Sequence, residues 1–330
     1  MMSDGCRETQ PDTGRLETTN DKDKVPLRGM ERYADKRHRI MIVDCHTHIN
    51  LAADDAETSE HFAAAETVDA CIVLASIDEP GEDVNKRLAQ YVNKYKEKMV
   101  GFAVLEPNNE KVNVSNLKHV SEKLGLKGVV LYCSACGFHP AHTKAMHFYE
   151  SAQELGLPIF FHNAGETARA VLEYTQPYLL DEVAREFTAL KMIIGNMGVP
   201  FVEQTLLMIS RHENVYADLT IQPKNVWQTY NMVVAAHEYG VMDKLLFGSG
   251  FPSGNAGECI ETLLGFNMLL ADTNLPTVPR GNIRNIIERD TLELLGIRPR
   301  STETQDDKGE KTKDRKNSTK KDKKKTENDD

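Results

Sequence analysis

Eight short apolar runs, rich in Val and Ile and recurring roughly every 25 to 35 residues, constrain this chain more than any other feature. They are Ile40–Val43, Cys71–Ala75, Val100–Leu105, Gly128–Tyr132, Pro158–Phe161, Met192–Ile194, Val215–Leu219 and Leu245–Phe247. Continuous runs of this kind fit strands buried on both faces, as in a parallel sheet covered by helices. The intervening stretches read as amphipathic helices. Ala145, Phe148, Tyr149 and Ala152 follow helical spacing, and Gly156 with Pro158 closes that helix. Phe201, Thr205, Leu206 and Ile209 repeat the pattern before Asn214. Eight strands alternating with helices over about 260 residues is the count expected of a closed α/β barrel, the (β/α)8 or TIM barrel. A doubly wound open sheet is the alternative. No Gly-x-Gly-x-x-Gly turn follows the first run to support it.

The flanks differ in composition. Residues 1–38 hold few large apolar side chains, and residues 300–330 are dominated by Lys, Asp, Glu, Ser and Thr. Neither can bury enough surface to offset the entropy of ordering, so both are expected to be disordered arms around a barrel domain at 39–299. The cluster Lys320, Lys321, Lys323, Lys324 and Lys325 is diluted by neighbouring acids and reads as a solubilising tail. A formal net charge of −10 argues against a general nucleic-acid binder. No apolar run is long enough to span a membrane, and the first forty residues lack the pattern of a secretory signal. Six dispersed cysteines do not read as a disulfide framework. A cytoplasmic setting is the expectation.

In such barrels chemistry sits at the C-terminal ends of the strands. The first run leads into Asp44-Cys45-His46-Thr47-His48. Residues two apart in extended chain point the same way, so His46 and His48 can aim together into the barrel mouth and share one metal ion. The fifth run ends in His162-Asn163, placing a third histidine at the same end.

These segments resemble the amidohydrolase-related family, the branch that includes decarboxylases of the aminocarboxymuconate-semialdehyde type. The resemblance is carried by MIVDCHTHIN, by the stretch from LKGVVLYCSACGFHP to LPIFFHNAG, by KMIIGNMGVP with NVYADLT, and by KLLFGSGFP. It implies a TIM barrel carrying one divalent metal, Zn2+ by expectation, held by His46, His48 and His162. It also implies hydrolysis or non-oxidative decarboxylation of a small carbonyl or carboxylate substrate without a redox cofactor. Pairing as a homodimer is a further implication.

Two positions depart from the family pattern. The family's strand-six histidine is replaced by Asn196, and its strand-eight aspartate by Gly250. Asparagine can donate a hydrogen bond to a developing oxyanion but cannot change protonation state near pH 7. Glycine offers no ligand. Asn196 is therefore the expected catalytic hydrogen-bond donor, with His139 and Asn163 as substrate contacts. The alternative is a catalytically impaired barrel serving as a binding or scaffold protein. Cys133 and Cys136 at the fourth strand end are either zinc-directed thiols or small buried hydrophobes. Glu106 and Asp218 are possible stand-in carboxylates, and His142 shares the His139 loop. His61, His119, His212 and His237 fall on helices and are assigned no role.

Overall fold

The computed structural model describes residues 41–50, 55–77, 83–109, 113–163 and 170–297. The expected arms at 1–38 and 300–330 lie outside the described residues. Each apolar run becomes a strand: β1 (Val43–Thr47), β2 (Ala70–Leu74), β3 (Met99–Val104), β4 (Gly128–Leu131), β5 (Ile159–Phe161), β6 (Met192–Ile194), β7 (Val215–Thr220) and β8 (Leu245–Gly248). All neighbours run parallel in chain order from β1 to β8. The circle closes beyond the end of β8, where Thr47 bridges Phe251. Gly250 donates its N–H to the His46 carbonyl at 2.9 Å, and His48 donates to the Phe251 carbonyl at 2.9 Å. The fold is a (β/α)8 barrel.

Two apolar layers hold it. Val43, Cys45, Ile72, Leu74, Phe102, Val130, Phe160, Ile193 and Leu246 pack inside the strands, over a floor of Leu292, Leu295 and Ile297. Outward-facing residues such as Val129, Ile159, Met192 and Ala217 pack beneath the helices. The helix Thr143–Glu154 buries Ala145, Phe148, Tyr149 and Ala152, the four positions its spacing marks. Gly156, at φ +65°, takes the left-handed turn past its end that a side chain would resist. The helix Val202–Arg211 likewise turns Thr205, Leu206 and Ile209 inward, while Phe201 becomes its cap. Full burial of one such aliphatic or aromatic side chain is worth about 1.5–3 kcal/mol, which fixes which edge of each helix faces the sheet.

The first strand is the one the sequence misplaces. The apolar run suggests Ile40–Val43, whereas the strand occupies Val43–Thr47 and carries His46 within it. Its register against β2 slips by one residue between Asp44 and Thr47, because three steps on β1 match two on β2 (Asp44↔Cys71, Thr47↔Val73). A bulge of this kind reverses the in–out alternation for the residues beyond it. Cys45 and His46, adjacent in sequence, therefore both reach Asp218. No described helix is long and apolar enough to cross a membrane.

Candidate metal centre

His46 lies within β1 and His48 directly follows it, while His162 follows β5 directly. Their Nε2 atoms converge: His46 to His48 is 3.1 Å, and His48 to His162 is 3.1 Å. The three ligand atoms lie within 4.8 Å of one another, and among the described residues they form the one His, Cys, Asp or Glu group able to hold a metal ion. The three rings meet edge to face, with centroids 5.0 to 5.1 Å apart.

The electrostatics suit a cation. Burial, reinforced by the neighbouring His46, pushes the His48 pKa down to about 3. Burial and the other two rings drive His162 well below the ordinary histidine value. Neutral imidazoles are the ligating form. The 3.1 Å spacings suit neighbouring ligands around one ion with bonds of about 2.0–2.1 Å.

What stands behind each ring differs. The Nδ1 of His48 faces the Leu74 carbonyl at 3.1 Å. The Nδ1 of His46 faces Asp218 Oδ2 at 2.5 Å and Thr220 Oγ1 at 2.9 Å. Asp218 is fully buried; burial opposes its charge, but His46, Thr220 and the Asn196 N–H outweigh that and hold its pKa below the usual carboxylate value. Asp218, a candidate stand-in carboxylate, sits behind the His46 ring and not in the group that faces the centre. Glu106, the other, does not join the cluster. The Nδ1 of His162 is buried without a hydrogen-bond partner, and its ring lies 4.7 Å from that of Tyr132.

Asn196 occupies a left-handed conformation (φ 48°, ψ 42°), followed by a second left-handed residue, Met197. Its N–H donates to Asp218 Oδ2 at 3.0 Å, and its side chain is half-buried. The Asn163 amide donates to the Val199 carbonyl, and Asn163 shares a small cavity with His162, Cys133, Tyr174 and Ile194. His139 is held in its own turn by accepting the Ala141 N–H at 3.0 Å, with its ring edge-on to Tyr174. His142 caps the start of the helix Thr143–Glu154. Cys133 is buried, and burial first, then its neighbour Cys136, pushes its thiol far up; it behaves as a small hydrophobe.

Gly250 adopts φ +65°, and a Cβ there would lie 2.7 Å from the Thr220 methyl group. The site therefore has no space prepared for a side chain at this position. Asp44, which sequence reasoning leaves without a role, is buried beside the centre and accepts the Ser249 N–H at 2.9 Å and the His46 N–H at 3.2 Å. Burial raises its pKa to about 6. Its position two residues before His46 was the available signal. His61, on its helix, is buried, with Nδ1 at 2.6 Å from the Tyr91 hydroxyl and its ring 4.9 Å from Phe251. His212 pairs with Asp181 at 2.9 Å.

A family model described as amidohydrolase matches residues 43–258, which span every strand and all of the positions above. The chain belongs to the amidohydrolase family. Amidohydrolases of this kind are metal-dependent enzymes acting on small molecules, and the histidine group is where this chain can hold the ion. Solved amidohydrolase-type barrels share the fold at low identity. A probable 2-pyrone-4,6-dicarboxylic acid hydrolase from Acinetobacter baumannii matches with a TM-score of 0.55 and 16% identity, covering 78% of this chain and 99% of its own. The 2,6-dihydroxybenzoate decarboxylase from Rhizobium gives 0.56 and 16%, covering 77% and 98%. The 5-carboxyvanillate decarboxylase from Novosphingobium aromaticivorans, solved with manganese, gives 0.56 and 11%, covering 78% and 97%. No curated protein matches the chain in sequence.

Proposed function

We propose that this amidohydrolase binds one divalent cation through His46, His48 and His162 and acts on a small ring-bearing carboxylate, by non-oxidative decarboxylation or by hydrolysis. The observation that carries the reading is the meeting of three Nε2 atoms at 3.1 Å spacings, two of them on rings that burial keeps neutral. A bound divalent ion supplies a Lewis acid toward a carboxylate or carbonyl oxygen. Zn2+ suits three imidazoles; Mn2+ is the ion of the 5-carboxyvanillate relative. The substrate class is supported by the likeness of the barrel to proteins named for carboxylated rings.

The chain's own residues divide the remaining work. Asp218 and Thr220 fix the His46 ring, and the Leu74 carbonyl fixes His48. Asn196 donates a hydrogen bond from its amide to the substrate oxygen that gains charge, without moving a proton. Asn163 and His139 border the approach. Neither Asn196 nor Gly250 supplies general acid–base help, a contribution typically worth about 10²–10⁴-fold. Slow turnover is the consequence.

A second reading has its own observation. Gly250 is bound into the closure of the barrel through His46 and crowded by Thr220, so this position serves the scaffold rather than the reaction. On that reading the protein binds a metal and a carboxylate ligand without turnover. Metal analysis of the purified full chain separates the two, followed by assay against dihydroxybenzoates and related ring carboxylates with and without a chelator. The enzyme reading expects about one equivalent of metal and chelator-sensitive carbon dioxide or acid release. Metal with no turnover selects the binding protein. Absence of metal binding at neutral pH overturns both.

A further inference from the structure

We infer that Asp218 is the positioning carboxylate of this centre: one of its oxygens sets both the His46 ring and the Asn196 backbone against the point where the three Nε2 atoms meet. The inference rests on the metal-binding reading above and assigns the group that tunes it.

Asp218 Oδ2 accepts three hydrogen bonds, from His46 Nδ1 at 2.5 Å, from the Thr220 hydroxyl at 2.6 Å and from the Asn196 N–H at 3.0 Å. Its Oδ1 takes the Cys45 thiol at 3.6 Å. A carboxylate against Nδ1 holds the proton there and leaves the Nε2 lone pair directed at the cluster. The other rings lack such backing: His48 has a neutral carbonyl and His162 has nothing. Among the described residues the group that faces the centre contains no carboxylate, so the negative charge of Asp218 reaches it through one imidazole.

The barrel makes room for this arrangement. A Cβ at Gly248, on the adjacent strand, would sit 2.2 Å from Asp218 Oδ1 and 3.0 Å from His46 Cβ. Glycine there is a requirement of the carboxylate's location. The same Oδ2 anchors the left-handed Asn196–Met197 turn, so displacing Asp218 moves the proposed oxyanion donor as well as the ligand ring.

Asp218→Asn keeps the shape and removes the charge. Equilibrium competition of the full-length protein with a chromophoric chelator measures affinity for Zn2+ and for Mn2+. The expected loss in this variant is about 10–100-fold. Thr220→Val, which removes one donor to the same oxygen, is expected to lose less, and it serves if Asp218→Asn fails to fold. Imidazole 15N NMR of the metal-free protein supplies a readout that a purely structural role would leave unchanged. Wild-type His46 is expected in the Nδ1–H tautomer, that population shifts toward Nε2–H in Asp218→Asn, and His48 keeps its tautomer. Affinities of both variants within about twofold of wild type, well short of the loss expected of such a partner, with an unaltered His46 tautomer, overturn the inference. A wild-type protein that binds no metal defeats the metal-enzyme reading; the tautomer comparison still tests Asp218.

Discussion

His46 and His162 bring the same atom to the same place from opposite sides of the barrel. Behind His46 stand an anion and a hydroxyl, Asp218 and Thr220. Behind His162 stand the Tyr132 ring at 4.7 Å and a buried Nδ1 without a partner. A histidine cluster that looks symmetrical from the mouth is therefore polarised behind it. On the β7–β8 side the imidazole compensates a buried charge, while on the β4–β5 side it is tolerated as a neutral ring. The same substitution should then have opposite consequences at the two positions.

Replacement by leucine is the sharpest way to break this comparison. His46→Leu strips the buried Asp218 of its imidazole partner, leaving Thr220 and the Asn196 N–H on that oxygen, and is expected to cost about 3–5 kcal/mol in chemical unfolding of the metal-free protein. His162→Leu removes an unsatisfied buried nitrogen while roughly conserving volume, and is expected to be close to neutral or stabilising. Both should abolish metal binding. Equal destabilisation would show that the two walls are alike. Adding Asp218→Leu to His46→Leu should recover part of the loss, because it removes the charge that His46→Leu strands.

Metal itself provides the next largest effect. At a free concentration of 100 times Kd, the ion should raise unfolding stability by about 2.7 kcal/mol, and a chelator should remove that gain. The shift should vanish in both leucine variants. A shift that persists in His162→Leu would place the ion elsewhere.

Two glycines sharpen the comparison further. Gly250 and Gly156 share φ +65°, but only Gly250 is crowded, by the Thr220 methyl at 2.7 Å. Alanine at Gly156 should cost roughly 1–2 kcal/mol for the left-handed backbone alone. Alanine at Gly250 should cost more and should also weaken metal binding, since Thr220 touches both Asp218 and His46.

A further effect is read per unit of pH. His48 is lowered from 6.5 to about 3, His61 from 6.5 to about 4, and His162 also falls. The folded protein refuses protons that the unfolded chain accepts. The stability these groups contribute is complete above pH 6.5 and declines as pH falls toward 4, by about 1.4 kcal/mol per pH unit for each extra proton. Asp44, raised from 3.8 to about 6, acts in the opposite sense: its contribution is present below 3.8 and lost as pH rises through 6. Three groups outweigh one, so the metal-free protein should weaken on acidification. His162→Leu should flatten that slope, and an unchanged slope would remove His162 from the account.

Much of the barrel was legible in the chain. The runs at Met192–Ile194 and Gly128–Tyr132 mark strands to within a residue, and the 145, 148, 149, 152 spacing picks out the buried face of its helix. Local periodicity carries that information because each element must bury a definite face. The three histidines were legible for a related reason: in a parallel barrel, all strand ends meet on one rim. Asp218 reads from the sequence as a possible stand-in carboxylate with no partner named, and His61 as a helical histidine without a role.

What the sequence determined by itself is the number and order of strands, the layers they bury, and the rim on which His46, His48 and His162 lie. The tertiary structure decided how they are held. The bulge in β1 turns Cys45 and His46 together toward Asp218, the Gly248 gap admits that carboxylate, and Gly250 is spent on closing the barrel. These outcomes depend on side chains about 170 residues apart meeting across a closed ring. A one-residue slip in register reverses which face a side chain occupies, and no local pattern of hydrophobicity records it.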